Sequence, residues 1–170
     1  MQPTEDQLLA EIEAKYRSDF HSFVRVAAAL TGDVNTGLDV VQDAFSSAVK
    51  SRLRFRADGP IEAWLWSIVL NQARTAQRSA QQRRQREQVA PTAEPVDEGD
   101  QGAQESLRAR VAALPERQRE VVFLRYYADM DYRGIAEALG VATGTVSATL
   151  SAAHAALRVD EPTEVCDDSA

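Results

Sequence analysis

The sequence predicts an all-α protein built as two small helical domains joined by a flexible linker. Apolar residues recur at helical spacing along almost the whole chain, whereas the alternating β-branched runs that mark strands are missing. Between the two helical stretches, residues 89–105 change to Pro, Gly, Glu, Asp and Gln, a composition that cannot bury enough apolar surface to offset the entropy of ordering. The length of 170 residues with 44% apolar content suits two compact modules, each with a small core. The expected layout is a helical domain over 7–88, an acidic linker over 89–105, a second helical domain over 106–159 and an acidic tail over 160–170.

The first helix is expected over residues 7–30, where Leu8, Ile12, Tyr16, Phe20, Phe23, Val24 and Ala27 form its buried stripe and "LTGD" breaks it. The second is expected to open at Thr36, because "TGLD" has the form of a capping box. Its apolar stripe is Leu38, Val41, Phe45, Ala48 and Val49, and its other face carries Asp39, Gln42, Asp43 and Ser46. "RADGP" then makes a turn, and Ile61 starts a long helix through Trp64, Leu65, Ile68 and Val69 that ends among arginines. Two tryptophans two positions apart cannot both face one core. Trp64 is expected inside, and Trp66 outside as a partner contact or a stacking surface for single-stranded bases.

The second domain is expected to begin near Ser106, with Leu107, Val111 and Leu114 as its first apolar residues, and Pro115 suits the first turn of the helix after it. "DMDYRGIAEALGVATGTVSATL" reads as helix, Gly140 turn, helix, the arrangement of a DNA-reading hairpin that is also common in proteins with no DNA partner. Residues 132–139 make the supporting helix and Thr143 is the expected N-cap of the second. Val146, Leu150, Ala153 and Leu157 then pack down, leaving Thr145, Ser147, Ala148 and Ser151 exposed.

A formal charge of −7 argues against a polyanion partner until its distribution is read. Arg74, Arg78, Arg83, Arg84 and Arg86 stand against the single acid Glu87, while the acids gather in the linker and in the tail, as Asp160, Glu161, Glu164, Asp167 and Asp168. Cys166 is the single cysteine, which excludes an internal disulfide framework. His21 and His154 fall in different domains, there is no metal-spaced His/Cys cluster and no phosphate-cradling glycine loop, so neither an enzyme nor a cofactor is expected. No run approaches the roughly 18–20 apolar residues of a membrane span and the first residues are too polar for a signal peptide, so the expected setting is the cytoplasm, without membrane insertion.

Two blocks carry a family resemblance. "LTGDVNTGLDVVQDAFSSAV" with "AWLWSIVLNQARTAQR" resembles region 2 of an extracytoplasmic-function sigma factor, and "ALPERQREVVFLRYYADMDYRGIAEALGVATGTVSATLSAAHAALR" resembles its region 4. They stand in the family's order, with a linker where the family has one. The resemblance implies a dissociable subunit of bacterial RNA polymerase that directs promoter recognition and melting. Its implied partners are core RNA polymerase and promoter DNA, with room for an anti-sigma protein. It places the polymerase clamp at Asp39, Gln42 and Asp43, though Asp39 could equally serve a helix cap. It places the −10 element at Asn71, Arg74 and Arg78. Asn71 would read a flipped base through its donor and acceptor, and the arginines would pair with phosphates. The alternative for the arginines is a solvated helix end. The −35 element falls to Arg133, Thr143, Thr145, Ser147, Ala148 and Ser151.

One departure limits the resemblance: from Gly144 to Leu157 there is no Lys or Arg, where family members usually place several, at positions matching Ser147, Thr149, Ala152, His154 and Ala156. Each lost phosphate contact flattens the salt dependence of binding by about 0.9. A second reading therefore stands beside the first, a sigma-like interaction protein that binds polymerase or an anti-sigma partner without full promoter recognition.

Overall fold

The computed structural model describes residues 3–56, 59–87 and 101–158. Residues 89–100 of the expected linker and the acidic tail with Cys166 lie outside the described residues. Seven α-helices and one short 3-10 turn account for the described chain, with no strand among them. They are α1 (Glu5–Thr31), α2 (Val34–Ser51), the 3-10 turn Arg52–Arg54, α3 (Ile61–Glu87), α4 (Gln101–Ala113), α5 (Glu116–Tyr126), α6 (Tyr132–Leu139) and α7 (Thr143–Leu157). None is long and apolar enough to cross a membrane.

Helix α1 starts on a full capping box: the Gln7 amide donates to the Thr4 hydroxyl at 3.3 Å, and the Thr4 amide donates to the Gln7 side chain at 2.8 Å. It ends at Gly32, whose φ of 81° lets the chain reverse in the left-handed region. Helix α2 starts at Val34, two residues before the expected Thr36. Its N-cap is Asp33, whose carboxylate accepts from the Thr36 amide and the Thr36 hydroxyl, each at 2.7 Å. Thr36 therefore completes the cap from inside the helix. The hydrogen bonds from Thr36 hold the Asp33 carboxyl below the usual carboxylate range.

Helices α1, α2 and α3 pack as a bundle around Phe23, Phe45 and Trp66. The Phe23 ring lies 5.1 Å from Phe45 and 4.3 Å from Trp66, and Tyr16 closes edge-on at 4.9 Å from Phe45. Here the tryptophan expectation is reversed. Trp66 is 1% exposed, whereas Trp64 is half-buried and tilts over Phe55 at the surface. The reason is phase: Trp66 lies in register with Ala63, Leu70 and Ala73, all buried, at helical steps along the inner face. Gly37 permits the close crossing of α1 and α2, since a side chain there would run into the Ala28 backbone.

The second half begins with α4, whose helical backbone starts at Gln101, inside the segment read as linker. Pro115 is the N-cap of α5, one position ahead of its first turn. Asp131 caps α6 through the Gly134 amide at 2.7 Å, and Gly140, at φ 65°, turns the chain toward α7. Val121, Leu124, Ile135, Val146, Leu150 and Ala153 are buried where α5, α6 and α7 meet. The two halves also touch: α3 packs on α6 and α1 on α5, so the buried residues form one continuous cluster.

Candidate polymerase and nucleic-acid interface

Helix α2 separates its faces cleanly. Val40, Val41, Ala44, Phe45 and Ala48 turn inward, and Asp39, Gln42 and Asp43 stand exposed on the other side, with no ion pair to either acid among the described residues. Asp39 plays no part in the helix cap, which belongs to Asp33. The outcome is a solvated acidic patch on a helix whose position is fixed by the bundle.

On α3 the arrangement differs from residue to residue. Asn71 is exposed, and its side-chain oxygen accepts from the Arg74 guanidinium at 2.8 Å. Arg74 does not project freely. It grips Glu120 of α5 with two parallel bonds, Nε to Oε1 at 2.6 Å and Nη2 to Oε2 at 2.9 Å, and lies 3.6 Å from Glu116. The hydrogen bond to Glu120 raises the Arg74 pKa above its already high ordinary value, so the guanidinium is charged at any working pH. Arg78, Arg83, Arg84 and Arg86 are exposed farther along the helix.

Helix α7 presents Thr143, Thr145, Ser147, Ala148 and Ser151 to solvent, with Val146, Leu150 and Ala153 beneath them. Thr143 is the first helical residue rather than the cap. Ala142 occupies the cap position without a side-chain hydrogen bond, because the Gly140 turn and the Val141 amide bond to Ala136 fix where the helix must begin. The Thr145 amide bonds back to the Ala142 carbonyl at 3.0 Å, which leaves the Thr143 and Gly144 amides to outside acceptors. Arg133, largely exposed on α6, is held by Glu137 at 3.0 Å. His154 is half-buried, with its Nε2 2.8 Å from the Tyr126 hydroxyl.

The structure thus gathers Asp39, Gln42 and Asp43 on one face, Asn71 with Arg74 on a second and the α7 residues on a third. Glu120 is the residue that sequence reasoning missed. It is 1% exposed and lies 46 positions from the arginine it pairs with, and nothing local in "ERQREVVFL" marks it as a partner of α3.

Comparison with known proteins finds a family match for each half of the chain. The Sigma-70 region 2 family matches residues 16–84, and the Sigma-70 region 4 family matches residues 104–157. RNA polymerase sigma factor SigV of Bacillus subtilis strain 168 is 27% identical over 158 residues, covering 92% of this chain and 92% of its own length. RNA polymerase sigma factor YlaC of the same strain is 26% identical over 157 residues, covering 86% of this chain and 90% of its own. The sigma factor RpoE of Bartonella quintana, solved with the anti-sigma factor NepR, superposes with a TM-score of 0.70 at 21% identity, over 86% of this chain and 94% of that one. CnrH, solved with the cytosolic domain of CnrY, gives 0.63 at 23% identity over 90% and 91%.

Proposed function

The chain belongs to the sigma-70 family, as an extracytoplasmic-function sigma factor that binds core RNA polymerase and promoter DNA to direct transcription initiation, and we propose how its residues divide that work. It is an initiation factor rather than an enzyme. Residues 16–84 form the polymerase-binding and melting half, and residues 104–157 the upstream-binding half. Asp39, Gln42 and Asp43 take the polymerase clamp. Asn71 reads an unstacked base of the −10 element, with Arg74 and Arg78 on the adjoining phosphates. The exposed face of α7, Thr143, Thr145, Ser147, Ala148 and Ser151, lies on −35 DNA, with Arg133 at its edge. The working compartment is the cytoplasm, where polymerase is. An anti-sigma protein is a further partner, in keeping with the complexes in which RpoE and CnrH were solved.

The single observation that carries this reading is the α2 face. Asp39 and Asp43 are charged, exposed and unpaired by the described chain on a helix otherwise anchored by a buried stripe, which is how a docking surface for a basic partner looks. The test is charge reversal, Asp39→Arg with Asp43→Arg, in a binding titration with core polymerase. Loss of polymerase binding with an unchanged circular dichroism spectrum is expected. Undiminished binding would move the polymerase contact elsewhere on the bundle.

On α7 the missing cations have a direct consequence. With no Lys or Arg between Gly144 and Leu157, the −35 contact rests on hydroxyls, backbone amides and small side chains that permit close approach. Such a contact contributes little affinity through counterion release.

A further inference from the structure

Asn71 and Arg74 stand one turn apart on α3, and the side-chain oxygen of Asn71 accepts from Arg74 Nη1 at 2.8 Å. An arginine side chain has donors only, so the Asn71 atom that faces it must be the oxygen, and the amide nitrogen is turned away. Asn71 is exposed, and that nitrogen donates to nothing among the described residues. Nη1 is the terminal nitrogen that Glu120 leaves alone, since Glu120 takes Nε and Nη2. The contact to Asn71 lies within one helix at i, i+3, so it needs α3 alone and not the meeting of α3 with α5. Of the five guanidinium N–H groups these contacts use three, which leaves two for a phosphate.

A cation on the amide oxygen has two effects. It occupies one lone pair and weakens the other as an acceptor, and it polarises the amide so that its N–H groups donate more strongly. Asparagine reads adenine with both ends of its amide, the nitrogen giving to N7 and the oxygen taking from N6. With the oxygen held, that pairing is disfavoured, and the amide is left to bases that offer neighbouring acceptors. Guanine does so at O6 and N7 and unpaired cytosine at N3 and O2, whereas thymine separates its acceptors with an N3–H donor. We propose that Arg74 is a positioning residue for Asn71: it fixes the amide with its donors turned away, so that Asn71 selects guanine or cytosine over adenine and thymine in the unpaired −10 strand. The inference rests on the assignment of Asn71 to an unstacked −10 base.

The test is made on the holoenzyme, the full chain with core RNA polymerase, bound to duplexes whose −10 segment is unpaired and randomised. The bound DNA is sequenced, and total affinity is measured separately. Wild type should enrich guanine or cytosine over adenine about three- to tenfold at one position, as one directed hydrogen bond allows, and Asn71→Ala should erase that preference. Arg74→Met should bring adenine level or ahead at the same position, because the freed amide turns either way. Arg74→Met with Glu120→Gln should do the same without leaving a buried carboxylate unpaired, which covers the case in which Arg74→Met alone loses its helices by circular dichroism. Glu120→Gln alone should keep the wild-type preference. A folded Arg74 variant that binds every base less tightly with the preference intact overturns the positioning role and leaves Arg74 a phosphate contact. A shift in Glu120→Gln as large as that in Arg74→Met overturns it too, since the control would then lie between α3 and α5. Wild-type enrichment of adenine or thymine at the position that depends on Asn71 overturns the donor reading. If no position responds to Asn71→Ala, the assignment of Asn71 to the −10 strand falls, and this inference with it.

Discussion

Replacing Gly37 by Ala tests the close crossing of α1 and α2, the contact that fixes the polymerase-facing helix. A Cβ at that position would lie 2.6 Å from the Ala28 amide nitrogen, 2.8 Å from its Cα and 3.0 Å from its Cβ. Two of these three atoms are backbone, so no rotamer change relieves the clash, and the helices must separate by about 1 Å to restore ordinary contact. Overpacking of this kind costs about 1–3 kcal/mol. The gain in helix propensity from Gly to Ala offsets about 0.5–1 kcal/mol of it. The net loss therefore runs from about zero to about 2.5 kcal/mol, which for a chain of this length lowers the melting temperature by up to about 10 °C. Gly144 supplies the matched control, since a Cβ there meets nothing within 4 Å. Gly144→Ala should raise the melting temperature by about 1–4 °C, because only the propensity term acts. Thermal unfolding followed by circular dichroism measures both. A Gly37→Ala protein that melts as far above wild type as Gly144→Ala does would refute the close crossing.

Three other outcomes follow from the structure. Trp66→Ala should cost about 3–5 kcal/mol and Trp64→Ala clearly less, in denaturant titrations that extrapolate to stability in water, because only Trp66 fills the bundle centre. Ser147→Lys on the exposed face of α7 should tighten binding to duplex upstream DNA and steepen its salt dependence by about 0.9, whereas an unchanged slope would mean that this face does not meet phosphate. Asp33→Ala should lower the melting temperature at neutral pH. Since the Asp33 carboxyl titrates below its ordinary value of 3.8, its contribution is complete above that value and is lost as the pH falls through the lower folded value. The gap between variant and wild type in melting curves should therefore close on acidification.

Much of the architecture was legible because it rests on local rules. The stripe of Val146, Leu150, Ala153 and Leu157 and the glycine at 140 define the hairpin of α6 and α7, and the exposed positions of α7 follow by subtraction. The misplacements arose where two local signals compete. Asp33 and Thr36 are both good cap residues three positions apart, and the one that caps also binds the other. Around Trp64 and Trp66 the helix is apolar over a wide arc from Ile61 to Leu70, so periodicity alone does not say which ring meets Phe23. Thr143 suits a cap by type, but the turn geometry of Gly140 and Val141 puts Ala142 there. The pairing of Arg74 with Glu120 was beyond reach, because it depends on how two halves of the chain meet rather than on either segment.

The division of roles proposed for the two halves is tested most directly by transcription itself. The purified protein is mixed with core RNA polymerase and fragmented genomic DNA, and the run-off transcripts are sequenced for wild type and for Asn71→Ala. The account predicts specific start sites with wild type, a shared upstream sequence at the −10 position, and loss of those transcripts with Asn71→Ala while polymerase binding persists. Stable binding to polymerase with no specific transcripts, or transcripts indifferent to Asn71, would contradict it.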